Sequence, residues 1–383
     1  MNKELIANVK SNFTEHFNSN PLLIFSPGRI NIIGEHTDYN DGFVFPAAVN
    51  KGIVAGFEKS NSETSKVIAL DLNDSIEFST SSVSPLPKES WGNYILGVIS
   101  EIQKTGKKVP NFNMAFSGDI PSGSGMSSSA ALENSVVFGL NELFLLGLSK
   151  SEMIFISQKA EHNYVGVNCG IMDQYASMFG IKDHALLLDC RSTVAKPFEI
   201  NFDGYELMLI NTNVKHSLSD SAYNDRRSVC ENTSKLLGIK ALRDATEKDL
   251  ESIKDKLTEE DFQKALFVIQ ENQRAELASK AMTEGNLVTL GQLIYGSHEG
   301  LQNQYQVSCD ELDFLVEQAK LNASILGARM MGGGFGGCTI NLIASHAVEA
   351  FKEHIAKAYK TKFNKECSIY SVELSDGTGV INA

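Results

Sequence analysis

The sequence predicts a mixture of helices and strands folded into two domains, and three observations support that reading. The chain has 383 residues, and at roughly 150 residues per domain two sizeable domains are expected. In the first half, short β-branched and aromatic runs alternate with longer stretches of helical period. After residue 200 the composition shifts, and from about 230 to 290 the chain is charged, helix-rich and poor in glycine. These features divide the chain into an N-terminal unit, 1–200, and a C-terminal unit, 201–383.

Residues 21–57 read as strand, turn and strand. Leu22 to Phe25, then Ile30, Ile32 and Ile33, lead into the polar loop GEHTDYNDG, and the apolar run Phe43 to Val49 follows. Residues 66–78 predict a hairpin turning near Asn73-Asp74, and the Ser/Pro-rich segment 81–90 predicts a loop. Tyr94, Ile95, Val98, Ile99 and Ile102 recur at helical spacing, so a helix is expected from Trp91 to Lys104. A second helix, within 126–147, carries Leu132, Val136, Leu140 and Phe144 every four residues. Ser149 and Glu152 form a capping box for a third over 150–165, and a fourth starts near Gly170. Residues 184–190 and 206–212 read as buried strands, and a glycine loop from 327 runs into another.

Charge and composition exclude several classes. Thirty-four basic against 47 acidic residues give a net charge of −13. That argues against nucleic acid held by the global field, but leaves room for a local phosphate site built from backbone amides. No stretch approaches the 18 apolar residues of a membrane span. The N-terminal segment lacks the apolar core of a secretory signal, and Glu4 and Glu15 disfavour a transit peptide. The six cysteines form no CxxC pair, so buried, reduced thiols in a cytoplasmic protein are expected rather than a zinc cluster or disulfide framework.

Four segments are candidates for chemistry. The loop GDIPSGSGMSSS at 118–129 opens a helix, where free N–H groups and the helix dipole attract anions. It is either a phosphate cradle or a helix cap formed by Ser127 or Ser128. It is not a Walker loop, because GxxxxGK[ST] is absent. GGGFGG at 332–337 matches GxGxxG, but a strand follows it instead of a helix, so its backbone passes close either to a ligand or to another chain segment. PGRINIIGEHTDYN at 27–40 gathers Arg29, Glu35, His36, Asp38 and Asn40. These suit sugar hydroxyls and phosphate, or a solvated turn with a salt-bridged arginine. In KAEHNYVGVNCGIMDQY at 159–175, Glu161 lies late in one helix and Asp173 in the first turn of the next, where an aspartate commonly serves the dipole.

Together these segments resemble the galactokinases, in the family shared with homoserine, mevalonate and phosphomevalonate kinases. GRINIIGEHTDYNDG resembles the galactokinase signature, PSGSGMSSSAALE the family's phosphate loop, and EHNYVGVNCGIMDQY and GGGFGGC its further motifs, with WGNY and SAYNDRR also fitting. Met126 stands where leucine is usual and Ala222 where glutamate is usual. The resemblance implies a two-domain α+β small-molecule kinase fold with its active site in the interdomain cleft. It implies ATP-dependent phosphorylation of D-galactose at C1, the first committed step of galactose catabolism. Asp173 is expected to accept the hydroxyl proton and Arg29 to stabilise the phosphoryl group. Glu35, His36, Thr37, Asp38, Gly170 and Tyr223 are expected to contact the sugar. Gly123, Ser124, Gly125, Met126, Ser127, Ser128 and Ser129 are expected to hold ATP, with Trp91 near the adenine. Mg²⁺ is expected on Ser129 and Glu161. The competing readings are an N-acetylgalactosamine kinase and a non-catalytic galactose/ATP sensor, and the intact SSSAA segment disfavours the sensor. No nucleic acid or membrane is expected, and the sequence leaves protein partners open, a monomer among the alternatives.

Overall fold

The computed structural model describes residues 2–88, 90–214 and 219–382, without the side chains of 219–221. The chain begins with a helix that the pattern analysis did not identify, α1 (Lys3–Phe17). The Asn2 side chain caps it and Leu5, Val9 and Phe13 are its buried stripe. Then come β1 (Leu22–Asn31), β2 (Phe43–Val44), β3 (Pro46–Lys59), β4 (Ser65–Ala69) and β5 (Asp74–Phe78). The β4–β5 hairpin turns at Asn73, whose φ of 48° is the left-handed conformation asparagine tolerates. Helix α2 (Gly92–Lys104) and strand β6 (Phe112–Gly118) lead to α3 (Ser128–Phe144), α4 (Lys150–Ala160) and α5 (Met172–Phe179). The Ser149–Glu152 capping box is present at the start of α4, which ends at Ala160 in one π-helical turn over Glu161–Val165.

Strand β7 (His184–Asp189) and β8 (Val194–Glu199) precede β9 (Tyr205–Asn211), so the expected boundary at 200 falls between β8 and β9. The helical stretch contains α6 (Ser219–Leu237), α7 (Glu247–Glu251), α8 (Glu259–Thr283), α9 (Leu287–Asn303) and α10 (Asp310–Lys320). The chain closes with β10 (Ile325–Met330), β11 (Cys338–Ala344), α11 (Val348–Phe363), β12 (Ser368–Ser371) and β13 (Gly379–Val380).

These elements form three sheets with helices packed against them. The first sheet has the order β13-β1-β3-β6-β4-β5, antiparallel except for the β4–β6 pair. Helices α2 to α5 share one core with it, where Phe57, Phe112 and Met114 meet Ile99, Val136 and Leu140. The second sheet is antiparallel, order β10-β11-β9-β12, and packs against α10 and α11 through Met208, Leu315 and Phe351. A small sheet, β2-β7-β8, completes the fold. A further core joins the two halves: Ile30, Ile32, Ile33 and Phe45 pack with Ala278, Leu290 and Ile340. The last residues of the 201–383 unit return to the first sheet, where β13 pairs with β1.

One irregularity positions the site. The register of β1 against β3 shifts between Pro27 and Arg29, where proline offers no N–H to the ladder. A Cβ on Gly28 would lie 2.6 Å from the Met126 carbonyl, and Arg29 N–H donates to that same carbonyl at 3.1 Å. The strand is thus held against the loop that opens α3.

Gly139, inside α3, has a different reason to be glycine: a Cβ there would sit 2.4 Å from the Phe57 ring. Alanine would favour the helix by about 1 kcal/mol, but overpacking a filled core costs about 1–3 kcal/mol. Gly139→Ala should therefore destabilise the protein in urea denaturation; a gain in stability would show that the α3–β3 contact yields easily.

Candidate functional site

Two cavities meet at one ion pair. The smaller, about 490 Å³ and partly open, is lined by Arg29, Glu35, His36, Asp38, Glu161, Cys169, Asp173, Tyr223 and Gly333 among others. The larger, about 1200 Å³ and also open, follows the loop from Ser122 to Ser129. Both contain Arg29, Asp173, Tyr223 and Gly333. Arg29 Nε donates to Asp173 Oδ1 at 2.8 Å, and Arg29 Nη1 donates to the Gly125 carbonyl. Ser127 Oγ donates to the other oxygen of Asp173.

That last contact decides one of the open alternatives. Ser127 stands at the N-cap of α3, but its φ is 57° and its side chain makes no capping hydrogen bond. The hydroxyl is turned to Asp173, and Ser127, Ser128 and Ser129 all line the larger cavity. The glycine loop at 332–337 is answered similarly. It packs backbone to backbone on the first loop, a Cβ on Gly125 lying 2.9 Å from the Met331 carbonyl and one on Gly337 3.4 Å from the Gly123 carbonyl. Gly333 and Gly334 also line the larger cavity, so chain and cavity are both neighbours of this loop.

The loop 34–42 is held by groups that pattern reading missed. Glu35 Oε2 accepts from Arg329 Nη1 at 2.6 Å, with both side chains buried, and Arg329 also donates to the carbonyls of Ile32, Asn31 and Met330. Glu271, buried on α8, accepts from the N–H groups of Gly34 and Glu35. Neighbouring Asn272 accepts from Phe43 N–H. Both ends of the loop are therefore anchored on one helix of the second half. Arg329 and Glu271 lie 294 and 236 residues from Glu35; a charged residue in a buried strand, in ILGARM, was the available signal for the first.

Within the loop, Thr37 differs from its expected role. It is buried and its hydroxyl donates to the carbonyls of Gly34 and Phe43, closing the loop instead of facing the cavity. Gly170 supports Asp38 from behind, since a Cβ there would lie 2.0 Å from Asp38 Oδ2. Burial, then the charges of Asp173 and Glu35, push the Asp38 carboxyl up to about 7. Burial, then Arg226, bring His36 down to about 3, so the imidazole is neutral.

The expected metal residues occupy different walls. Ser129 lines the larger cavity and Glu161 the smaller. Glu161 Oε2 accepts from Gln174 Nε2 at 3.1 Å. Glu133, one turn after Ser129 on α3, is buried beside it, and burial followed by the Glu161 charge raises its carboxyl well above the ordinary range. Among the described residues no cluster of three His, Cys, Asp or Glu side chains forms a protein-only metal cage. Trp91 lines an apolar hollow with Phe116, Leu72 and Leu132, and this hollow shares Tyr94, Ser128 and Ser129 with the larger cavity. The Trp91 indole donates to Asp74 at 2.8 Å.

The chain matches family models for the galactokinase galactose-binding signature over residues 11–59, the GHMP kinase N-terminal domain over 93–181 and the GHMP kinase C-terminal domain over 278–361. It is 42% identical over 356 residues to a galactokinase of Thermotoga neapolitana, covering 93% of this chain and 99% of that one. A galactokinase of Clostridium acetobutylicum is 40% identical, with 97% of each chain covered. The structure of Lactococcus lactis galactokinase complexed with galactose superimposes with a TM-score of 0.94 at 34% identity, covering 98% of this chain and all of that one. Methanococcus jannaschii mevalonate kinase, at 16% identity and a TM-score of 0.65 over 94% of this chain and 99% of that one, shares the fold.

Removing one partner of a buried ion pair costs about 3–5 kcal/mol. Arg329→Met should show a loss of that size in urea denaturation, and Glu35→Gln in the same chain should recover part of it; equal losses in single and double variants would argue that Arg329 acts through its backbone contacts alone. Asp38 gives a pH signature of definite sign. Its folded value of about 7 exceeds the ordinary carboxyl value, so folding favours the protonated form, and this contribution fades as pH rises from about 4 through about 7. Asp38→Asn should gain stability relative to wild type between pH 5 and pH 8; a constant difference would exclude the raised value.

Proposed function

Because this chain belongs to the galactokinases of the GHMP kinase family, we propose that the two cavities are its galactose and ATP sites and that Arg29 and Asp173 stand at the transfer point. The protein is an enzyme that phosphorylates galactose with ATP. The observation that carries the assignment is the sharing of Arg29 and Asp173 by both cavities: a sugar hydroxyl in one then faces a terminal phosphate in the other.

Phosphoryl transfer relies on positioning and charge stabilisation. Asp173 is the proton acceptor for the C1 hydroxyl, and galactose 1-phosphate is the product. Two hydrogen bonds, from Arg29 and Ser127, fix both of its oxygens, which leaves the carboxylate oriented before the sugar arrives. Arg29 supplies the fixed cation for the transferring group. The helix N-terminus of α3 and the glycine-rich loop from Gly123 to Met126 receive phosphate oxygens. The Trp91 hollow takes the adenine by apolar contact. Glu35, His36, Asp38 and Tyr223 bind the sugar, with Thr37 and Gly170 shaping that wall.

The donor set fits Mg²⁺. Ser129 and Glu161 offer only oxygen, and a magnesium site needs one or two carboxylates plus substrate phosphates, not a protein cage. When bound, the ion neutralises charge on the β- and γ-phosphates. Asp173 and Arg29 perform their roles from their own positions. The two units, 1–200 and 201–383, form the walls of the cleft. Among the described residues no helix is long and apolar enough to cross a membrane. The six cysteines are free, which supports a cytoplasmic setting.

The test is a coupled assay with ATP against D-galactose, N-acetylgalactosamine, L-arabinose and glucose, in which galactose should give the highest kcat/KM. Asp173→Asn should lower turnover about 10²–10⁴-fold while calorimetry still detects galactose. Arg29→Ala should lower kcat for every accepted sugar without changing their ranking. A variant at Asp173 that keeps a tenth of the wild-type rate would remove it from the proton-transfer role.

A further inference from the structure

Helix α6 belongs to the second half of the chain, yet two of its side chains complete the backbone hydrogen bonding of a loop in the first half. That loop, 166–170, joins the π-helical turn over Glu161–Val165 to the start of α5, which carries Asp173. Its own backbone closes only in part. Gly166 and Val167 N–H donate to the Glu161 carbonyl at 2.9 and 3.3 Å, and Cys169 N–H donates to the Val167 carbonyl at 3.0 Å. Other groups of the loop turn to α6. Asn224 Oδ1 accepts from Asn168 N–H at 3.0 Å, and Asn224 Nδ2 donates to the Gly166 carbonyl at 3.1 Å. One turn along, Arg227 Nη1 donates to the carbonyls of Asn168 and Cys169 at 2.9 and 3.3 Å, while its Nε donates to Glu231. The His162 and Gln158 side chains also reach the Cys169 carbonyl.

We infer that Asn224 is a positioning residue whose amide clasps the loop at Val167 and so sets a wall that both substrates share. The inference rests on the reading of the two cavities as the galactose and ATP sites. The Gly166 carbonyl and the Asn168 N–H flank Val167, and they are the pair that an adjoining strand would take. Backbone groups of this kind need a partner. A carboxamide offers a donor and an acceptor side by side, so one side chain meets both in one orientation. The flipped amide would set donor against donor and acceptor against acceptor. Arg227, His162 and Gln158 secure the loop at Cys169, which leaves Asn224 to hold it at Val167.

Val167 lines both cavities, and so does Tyr223, the residue before Asn224. The clasp therefore ties together two side chains from opposite halves of the chain at the place where the cavities meet. Arg29 and Asp173 are fixed by each other, by Ser127 and by the Gly125 carbonyl, so the transfer step keeps its geometry without the clasp. Asn224 acts on binding instead. With the Val167 wall preset, neither substrate has to order it on arrival, and that ordering would otherwise weaken both affinities.

The experiment compares Asn224→Ala, Val167→Ala and the double variant. Asn224→Ala should raise KM for galactose and KM for ATP about 3- to 10-fold each, the scale of one hydrogen bond, with kcat nearly unchanged. Val167→Ala should raise both KM values by itself. Adding Asn224→Ala to it should do little more, because the side chain that the clasp positions is already gone. Hydrogen exchange at the Asn168 amide, measured without substrate, should be slow in the wild type and fast in Asn224→Ala. Asn224→Asp keeps the acceptor but turns a second oxygen toward the Gly166 carbonyl, so it should retain part of that protection and still raise both KM values. An Asn224→Ala enzyme with lowered kcat and unchanged KM, or with its full effect intact in the Val167→Ala background, overturns the positioning role. Unchanged exchange at Asn168 in Asn224→Ala overturns the clasp itself. If Val167→Ala leaves both KM values at the wild-type level, the reading of the cavities falls and the substrate role of Asn224 falls with it. The exchange measurement needs no substrate, so it tells that failure apart from a failure of the clasp.

Discussion

The Arg29 guanidinium is almost completely buried, and three separate stretches of chain converge on it. It leaves β1 at the register shift beside Gly28, donates to Asp173 at the start of α5, and donates to the Gly125 carbonyl in the loop before α3. A buried cation is tolerated only where its donors are satisfied, so these partners must arrive together. Their arrival is what brings the two cavities into contact. The bulge at Pro27, the left-handed Ser127 and the close glycine–glycine packing of the two loops all serve the approach of backbone to this one group.

A second set of buried charges ties the sugar loop to the far half of the chain. Arg329 holds Glu35 and three carbonyls, and Glu271 and Asn272 take N–H groups at both ends of the loop. None of these residues needs to touch a ligand. Their effect is that a polar, nine-residue loop keeps one conformation, in which burial, with Asp173 and Glu35 nearby, pushes the Asp38 carboxyl up to about 7. Preorganisation of this kind suits a reaction in which orientation and electrostatics do most of the work.

Much of this molecule is legible in its sequence, because the informative groups are local. Strong helical period exposed α2 and α3, whose apolar residues join the core of the first sheet, and the Ser149–Glu152 box set the start of α4 to the residue. Elements without such a stripe were missed. Helix α1 has only three buried positions, β8 is largely exposed, and β12 and β13 are too short to carry a pattern. The candidate residues Arg29, Glu35, His36, Asp38 and Asp173 stood out because acids, a histidine and an arginine crowd into two short motifs. Their meeting in one cavity follows from the fold.

What the sequence determined by itself was therefore the set of local decisions: the helix periods, the turn residues, the glycines and the identity of the reactive side chains. Whether Ser127 would cap a helix or hold a carboxylate, whether GGGFGG would face a ligand or another loop, and whether Thr37 would face the cavity or close its own loop were left to the tertiary structure. Each of those choices depends on a partner between 6 and 214 positions away, as in the pairs Thr37–Phe43, Ser127–Asp173 and Gly123–Gly337. Local propensity extends only a few residues along the chain. The deciding contacts here are hydrogen bonds and backbone approaches between separate segments, which exist only once the fold has brought those segments together.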